Sequence, residues 1–387
     1  MEGRWNGTST RAGPADAGRR VANSPDVSHG APPRGKPQRR ARMTIVDTSI
    51  IIPARNAEST IASCLASIAS LDPGPLEVIV VDDASVDATS ALAAQSGARV
   101  IRLGENAGPG LARNAGARVA RGGTLAFTDA DCRVPKDWLA RFHAEPLARR
   151  YSGITGPYAG AIAPTALATL MDRALKHEQR HLPAAIESSI SSNLFVRAAD
   201  FRAVGGFPAY RLAGARMCCF GNEDEELAHL LVEHTGLPVR WLPENGVEHA
   251  FRATWRGYAA QQSRYAEAIL VSYARFPKMA RRPTNYSRGG GVKKLLAFWC
   301  AASACAAAPA LGPAALVGCA PFLLVNAGSV RRLLRDEPSA VGAWRLALLA
   351  YPFHAVTALA WTGGLLGGAA KCAFAGLSLG FRPGVAA

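Results

Sequence analysis

The chain has 387 residues and a formal net charge of +15, with 49% hydrophobic and 19% charged residues. That is enough apolar mass for a large core and too little charge for a wholly disordered protein. The charge sits at the ends: residues 1–43 carry nine Lys and Arg against three Asp and Glu, residues 276–387 twelve against two, and residues 44–275 twenty-three against twenty-four. A middle region so nearly neutral has no basic face for a phosphate backbone, which excludes nucleic-acid binding as its function.

Residues 1–43 are rich in Gly, Pro, Arg and Ser, and they lack an apolar period and the apolar run of a secretory signal, so a disordered basic tail is expected. Met43, just before the first strand-like run, is a second candidate translation start. From residue 48, short β-branched runs alternate with amphipathic segments, the pattern of βαβ units around a parallel sheet. Strands are predicted at Ser49–Pro53, Glu77–Val81, Ala98–Leu103 and Thr124–Thr128. Between them come a helix with Ile61, Leu65 and Ile68 on one face, a second starting near Asp87, and a third from about Pro109 to Ala120. Residues 132–275 are less regular, with helices at 165–181, 224–235 and 254–275 and turns at Gly205–Gly206 and Pro243–Gly246. Eight cysteines, including the adjacent Cys218 and Cys219, form no C-x-x-C pair, which favours a reduced, intracellular protein.

A basic juxtamembrane linker is expected over 276–294, followed by a hydrophobic membrane region over 295–380. Neither Leu295–Ser329 nor Leu346–Ala370 contains a charged residue, which predicts two to four membrane spans. Gly312–Pro313, near the middle of the first run, predicts a hairpin of two short helices. Lys293 and Lys294 would then share a side with Arg331, Arg332 and Arg335, the cytosolic side by the positive-inside tendency, facing an inner membrane. A buried, uncharged hairpin of a soluble core is the alternative.

In an open parallel sheet, ligands bind outside the carboxyl ends of the strands, where loops and helix N-termini converge. Every predicted strand end here is polar: Arg55 and Asn56, then Asp82 and Asp83, then Glu105 and Asn106 leading to Gly108, then Asp129 and Asp131. Carboxylates packed together repel, and a divalent cation is the natural remedy; Mg²⁺ and Mn²⁺ take oxygen ligands of this kind. Asp87 reads as a cap on the following helix.

These segments resemble the family 2 glycosyltransferases, which have the A-type nucleotide-sugar transferase fold. The resemblance is carried, in order, by Ser49 to Asn56 with Pro53 and Arg55, Val80 to Ser85 with Asp82 and Asp83, Asn106 to Gly116 with Gly108 and Arg113, and Asp129-Ala-Asp131. It continues with Ser192 and Asn193 before Gly205-Gly206-Phe207, and with Glu223 to Leu227; it covers about 48–270. It implies a Rossmann-like α/β domain over 44–275 with a mixed sheet, followed by C-terminal transmembrane helices. It implies an inverting transfer of a sugar from a nucleotide-diphosphate donor to a hydroxyl of a lipid or glycan, dependent on Mn²⁺ or Mg²⁺. By the same resemblance Asp83 contacts the base and Asp82 or Asp129 the ribose or metal, while Pro53, Arg55, Asn56, Asn106, Gly108 and Arg113 complete the donor site. Asp131 and His249 are the metal-side residues, Ser192, Asn193, Gly205, Gly206 and Glu223 the acceptor side, and Asp224 the base. Glu223, Glu225 and Glu226 are read in part as a solvated helix face. Gln261-Gln262-Ser263-Arg264-Tyr265 is similar to the Gln-x-x-Arg-Trp motif of processive synthases, with Tyr for Trp.

His177-Glu178-Gln179-Arg180-His181 matches H-E-x-x-H, which on a helix sets two imidazoles over one zinc. Pro183 cuts that helix short, and the same residues suit the charged end of an amphipathic helix built on Leu167, Leu170, Met171 and Leu175. A zinc protease and a catalytically silent nucleotide-sugar-binding membrane protein are therefore the rival readings.

Overall fold

The computed structural model describes residues 45–147, 149–208, 210–212, 215–217, 221–280, 291–311, 313–336 and 340–378. The expected tail, Met43, Cys218, Cys219 and the middle of the expected linker lie outside the described residues. The chain opens as β1 (Ile45–Ala54), α1 (Ile61–Ala69), β2 (Gly74–Asp82), α2 (Thr89–Gln95), β3 (Arg99–Arg102), α3 (Pro109–Val119) and β4 (Thr124–Thr128). β1, β2, β3 and β4 pair in parallel in the order β3-β2-β1-β4, because each crossover helix returns the chain to the same end of the strands.

Successive residues of these strands feed opposite faces. Ile50, Ile52, Val80 and Ala126 join a core with Ile61, Leu65, Trp138 and Phe142, whereas Ile51, Ile79, Val81, Leu125 and Phe127 join another with Ala112, Phe201, Phe207 and Leu227. A sheet buried on both faces needs such uninterrupted apolar strands.

The irregular second half begins with β5 (Cys132–Arg133), α4 (Trp138–Ala144), β6 (Gly153–Thr155), β7 (Tyr158–Ala161), α5 (Ala166–Gln179), β8 (Ala185–Ile186), β9 (Asn193–Arg197) and α6 (Ala198–Ala203). It continues through β10 (Tyr210–Leu212), β11 (Ala215–Met217), α7 (Glu223–Thr235), β12 (Val239–Trp241), β13 (Val247–His249), α8 (Trp255–Arg275) and α9 (Pro277–Ala280). The large sheet becomes mixed here, since β9 pairs antiparallel with both β4 and β6. β13 lies between β5 and β7 in a small sheet.

The C-terminal part is α10 (Gly291–Leu311), a 3-10 segment (Pro313–Cys319), α11 (Ala320–Asp336) and α12 (Ala340–Ser378). α10 ends at Leu311 and the 3-10 segment begins at Pro313; Gly312 of the expected break lies outside the described residues. Among the described residues, Trp344–Ala373 within α12 is the one helical stretch long and apolar enough to cross a membrane. α12 runs along α8: Tyr258 stacks on Phe353 and meets Thr357 Oγ1, Trp361 Nε1 donates to Gln262 Oε1, and Lys371 pairs with Glu267. A Cβ on Gly364 would stand 2.1 Å from Ser263 O, so the two backbones meet at a distance only glycine allows.

Candidate functional site

The loops at the carboxyl edge of the sheet are tied to one another before any ligand is considered. Asn56 holds φ 48°, a left-handed conformation that Asn tolerates. Its amide donates to Ser85 Oγ (2.9 Å) and its Oδ1 accepts from Val86 N (3.0 Å), which joins the turn after β1 to the turn after β2. Asp83 donates its backbone N–H to Ala54 O (2.8 Å), and its carboxylate accepts from Ala107 N (2.6 Å) and Gly108 N (2.8 Å). It therefore fixes the entry into α3.

Asp82, expected at the donor, is fully buried and faces away from the cavity described below. Its oxygens accept from Ser85 N (2.9 Å) and Ser90 Oγ, with Arg102 3.5 Å away. Burial raises its pKa, but those hydrogen bonds outweigh burial and lower it, so Asp82 is a buried anion spent on its own turn. Asp87 accepts from Thr89 N (3.0 Å) and Glu58 N (3.2 Å), and α2 starts at Thr89, later than expected.

Arg113, on α3, is the buried cation among these acids. It donates to Asp129 Oδ1 (2.6 Å) and Glu223 Oε1 (3.4 Å) and lies 5.3 Å over the Phe207 ring. Burial alone would lower its pKa; Asp129 and Glu223 reverse that and raise it. One guanidinium thereby links the loop after β4 to the start of α7.

Asp131 follows two residues later. β13 pairs antiparallel with β5, setting His249 opposite Cys132, and His249 Nε2 stands 3.6 Å from Asp131 Oδ1. Burial, with the charge of Asp129, pushes the Asp131 carboxyl up. Ligand atoms of Asp131, Cys132 and His249 lie within 4.8 Å of one another, so a cation has a donor cluster here. Burial pushes the Cys132 thiol well up and keeps it protonated, and Cys132 does not line the cavity. The carboxylate and the imidazole remain as the donors facing it; the carboxylate is the kind of oxygen ligand that hard divalent cations take. Among the described residues His249 Nδ1 is buried without a hydrogen-bond partner, while Tyr158 and Phe251 flank the ring at 4.8 Å.

Asp224 stands in the first turn of α7. Its oxygens accept from Ser191 N (3.3 Å) and Glu225 N (3.0 Å). Burial and the neighbouring Glu223 push its pKa up to about 7, the value that suits a general base near neutral pH. The expectation of a solvated acidic helix face fails: Glu225 and Glu226 are 3% and 1% exposed and accept from Ser188 Oγ (2.7 Å) and Ser272 Oγ (2.6 Å). The first turn of α7 points its acids into the protein because Ser188 to Ser191 and α8 pack over it.

A cavity of about 910 Å³ brings together Pro53, Arg55, Asn56, Asp83, Asn106, Arg113, Asp129, Asp131, Glu223, Asp224 and His249. Asp82, Gly108, Ser192, Asn193, Gly205 and Gly206 do not line it. Asn193 is fully buried and holds Trp138 Nε1 (2.9 Å) and Asn245 O (2.7 Å), and Ser192 Oγ donates to the Tyr158 hydroxyl (2.8 Å). Gly205 and Gly206 hold φ 83° and 76° in a turn clamped by Asn114, whose side chain bonds Phe207 N and O at 2.9 and 2.8 Å. These residues, expected on the acceptor side, stand behind the cavity wall instead of on it.

Sequence reasoning missed Tyr158, Ser189, Ser191 and Arg252, all on the cavity wall. The hydroxyl run from Ser188 to Ser192 was the available signal. Gln261, Gln262, Arg264 and Tyr265 also line the cavity from α8. His177, by contrast, lies on α5 and His181 beyond its end, with their rings 6.0 Å apart and edge to face. They are not part of the metal-capable cluster found among the described residues.

Residues 49–204 match the profile of Glycosyl transferase family 2. The succinoglycan biosynthesis protein ExoO of Rhizobium meliloti (strain 1021) is 41% identical over 100 residues, 25% of this chain and 29% of that protein. Glycosyltransferase AglE of Haloferax volcanii is 34% identical over 105 residues, 25% of this chain and 34% of that one. The matches thus span about a third or less of those relatives' lengths. The mannosyltransferase PcManGT from Pyrobaculum calidifontis, solved in complex with GDP-Man and Mn²⁺, shares the fold at 19% identity with a TM-score of 0.51, over 84% of this chain and 87% of that one.

Proposed function

We propose, from the match of residues 49–204 to the Glycosyl transferase family 2 profile, that the chain transfers a sugar, with inversion, from a nucleotide-diphosphate donor to a hydroxyl acceptor. The observation that carries this reading is the convergence of Asp83, Asp131 and Asp224 on one cavity outside the carboxyl ends of a parallel sheet.

Asp131 and His249 would hold a divalent cation, Mn²⁺ or Mg²⁺; when bound, it supplies positive charge against the diphosphate. Asn56, Asp83, Asn106 and Arg113 would form the donor side, with the turns they hold already braced by Ser85, Ala107 and Gly108. On the acceptor side, the hydroxyl oxygen bonds to the anomeric carbon as the bond from that carbon to the diphosphate oxygen breaks. The electron pair leaves with the diphosphate, and the hydroxyl proton passes to Asp224. A single displacement of this kind inverts the anomeric carbon.

The acceptor is a lipid or a glycan at a membrane. Support comes from α12, long and apolar enough to cross one, and from Phe353, Thr357 and Trp361 of that helix, which wall the same cavity. The basic residues 293–294, 331–332 and 335 favour a cytosolic catalytic domain at the inner membrane.

Purified full chain with a panel of nucleotide sugars and Mn²⁺ should give donor turnover that needs the metal. Absence of both binding and turnover across the panel would contradict the reading.

A further inference from the structure

A second cavity of about 540 Å³ adjoins the first, and Glu178, Lys294, Phe353 and His354 line both. Its wall is unlike the acidic catalytic cavity. Arg173, Lys176 and His177 come from α5, Arg180 from just past its end, Lys294 from α10 and His354 from α12; the acids lining it among the described residues are Asp172 and Glu178. Lys176 pairs with Asp172 at 2.8 Å. Burial pushes the Glu178 carboxyl up, reducing its weight as a counter-charge to Lys294. The residues that mimic a zinc motif in the sequence thus furnish part of a cationic chamber instead.

The chamber sits where the chain turns from basic to apolar. Lys294 is the last charge before the uncharged run Leu295–Ser329; Leu295 lines the catalytic cavity, and the next residue, Leu296, is 62% exposed. Across the chamber Ala350 and Phe353 of α12 form the apolar wall, and Leu348 on the same helix is 73% exposed. Basic side chains at the foot of exposed apolar helices suit the headgroup level of a bilayer.

We propose that this second cavity binds the phosphate group of a membrane lipid, whose chain lies against α10 and α12 and whose polar end reaches the catalytic cavity through the wall shared at Lys294 and Phe353. The acceptor class is then an amphiphile with an apolar chain, a phosphate and a hydroxyl beyond it, an identity that rests on the transfer reaction proposed above. Arg173 and Arg180 line the second cavity and not the first. They separate phosphate binding from donor binding.

The test titrates the full chain in neutral detergent with short-chain phosphatidic acid, short-chain phosphatidylcholine and inorganic phosphate, and separately with nucleoside diphosphate and Mn²⁺. Phosphatidic acid should bind at least about tenfold tighter than either control, and Arg173→Gln with Arg180→Gln should weaken it about tenfold or more. Nucleoside diphosphate binding in that variant reports folding; if it is lost, Arg173→Gln alone is read the same way. Arg173→Lys should keep most of the phosphatidic acid binding. Equal binding of inorganic phosphate overturns the lipid source, equal binding of phosphatidylcholine overturns the anionic group, and an unchanged Gln variant overturns the location. Failure of nucleoside diphosphate binding in the wild type would instead count against the transferase reading.

Discussion

Asp224 has the most to lose from a single-atom change. Asp224→Asn keeps the acceptor oxygen for Ser191 N but removes the base, so transfer should fall by about 10²- to 10⁴-fold while donor binding persists. With its pKa pushed up to about 7, wild-type turnover should rise as pH passes through that value and level off above it. A flat profile across that range would exclude Asp224 as the titrating base. Its neighbour Glu225 gives a stability prediction of opposite sign. Burial raises its pKa from 4.5 to about 8, so between those values the folded chain holds a proton that the unfolded chain has lost. The stability this contributes is complete below about pH 4.5 and is lost as pH rises through about 8. Glu225→Gln should therefore raise Tm at pH 8 with little gain at pH 5, as thermal denaturation at the two pH values would show. What the sequence displayed at this scale was the chemical type and the strand-end position of Asp83, Asp129 and Asp131. It did not display burial. Asp82 stands beside Asp83 in the chain yet points the other way, and nothing short of the packed turn with Ser85 and Ser90 distinguishes the two.

Among the elements, β4 and α3 follow the sequence closely because a long apolar or amphipathic run leaves little freedom of assignment. The pairs β5 with β13 and β6 with β12 are two or three residues per strand, too short for a period, and it is these that carry His249 to Asp131 and order the cavity's second half. The turn at Gly206 shows how such a region is held. A Cβ there would stand 2.4 Å from Asn114 Oδ1, and φ is 76°. Gly206→Ala should cost about 1–3 kcal/mol, read as a lower denaturation midpoint. Gly364→Val should separate α12 from α8, where the Cβ would strike Ser263 O. Because Trp361 and Thr357 of α12 wall the cavity, this change should lower transfer as well as Tm, whereas Gly363→Val, with no atom within 4 Å of its Cβ, should do neither through a direct clash.

Across the whole molecule, the site is made by convergence: four strand-end loops, the start of α7, the face of α8 and the wall of α12 meet in one cavity. The parallel sheet and its edge of acids were legible from periodicity and from where ligands bind in such sheets, whereas the strand order β3-β2-β1-β4 was not. The contribution of α12 was not, since an uncharged run reads the same whether it meets lipid, core or a catalytic wall. In the proposed transfer a cation and a nucleotide diphosphate are mutually dependent ligands, because a cluster of carboxylates repels the diphosphate until positive charge lies between them. The most direct measurement is equilibrium binding of UDP and GDP to the wild type and to Asp131→Asn, with Mn²⁺ and with a chelator. At least one nucleotide should bind the wild type only with Mn²⁺, and Asp131→Asn should lose that binding. Equal affinity with and without the metal, unchanged by the substitution, would contradict the account.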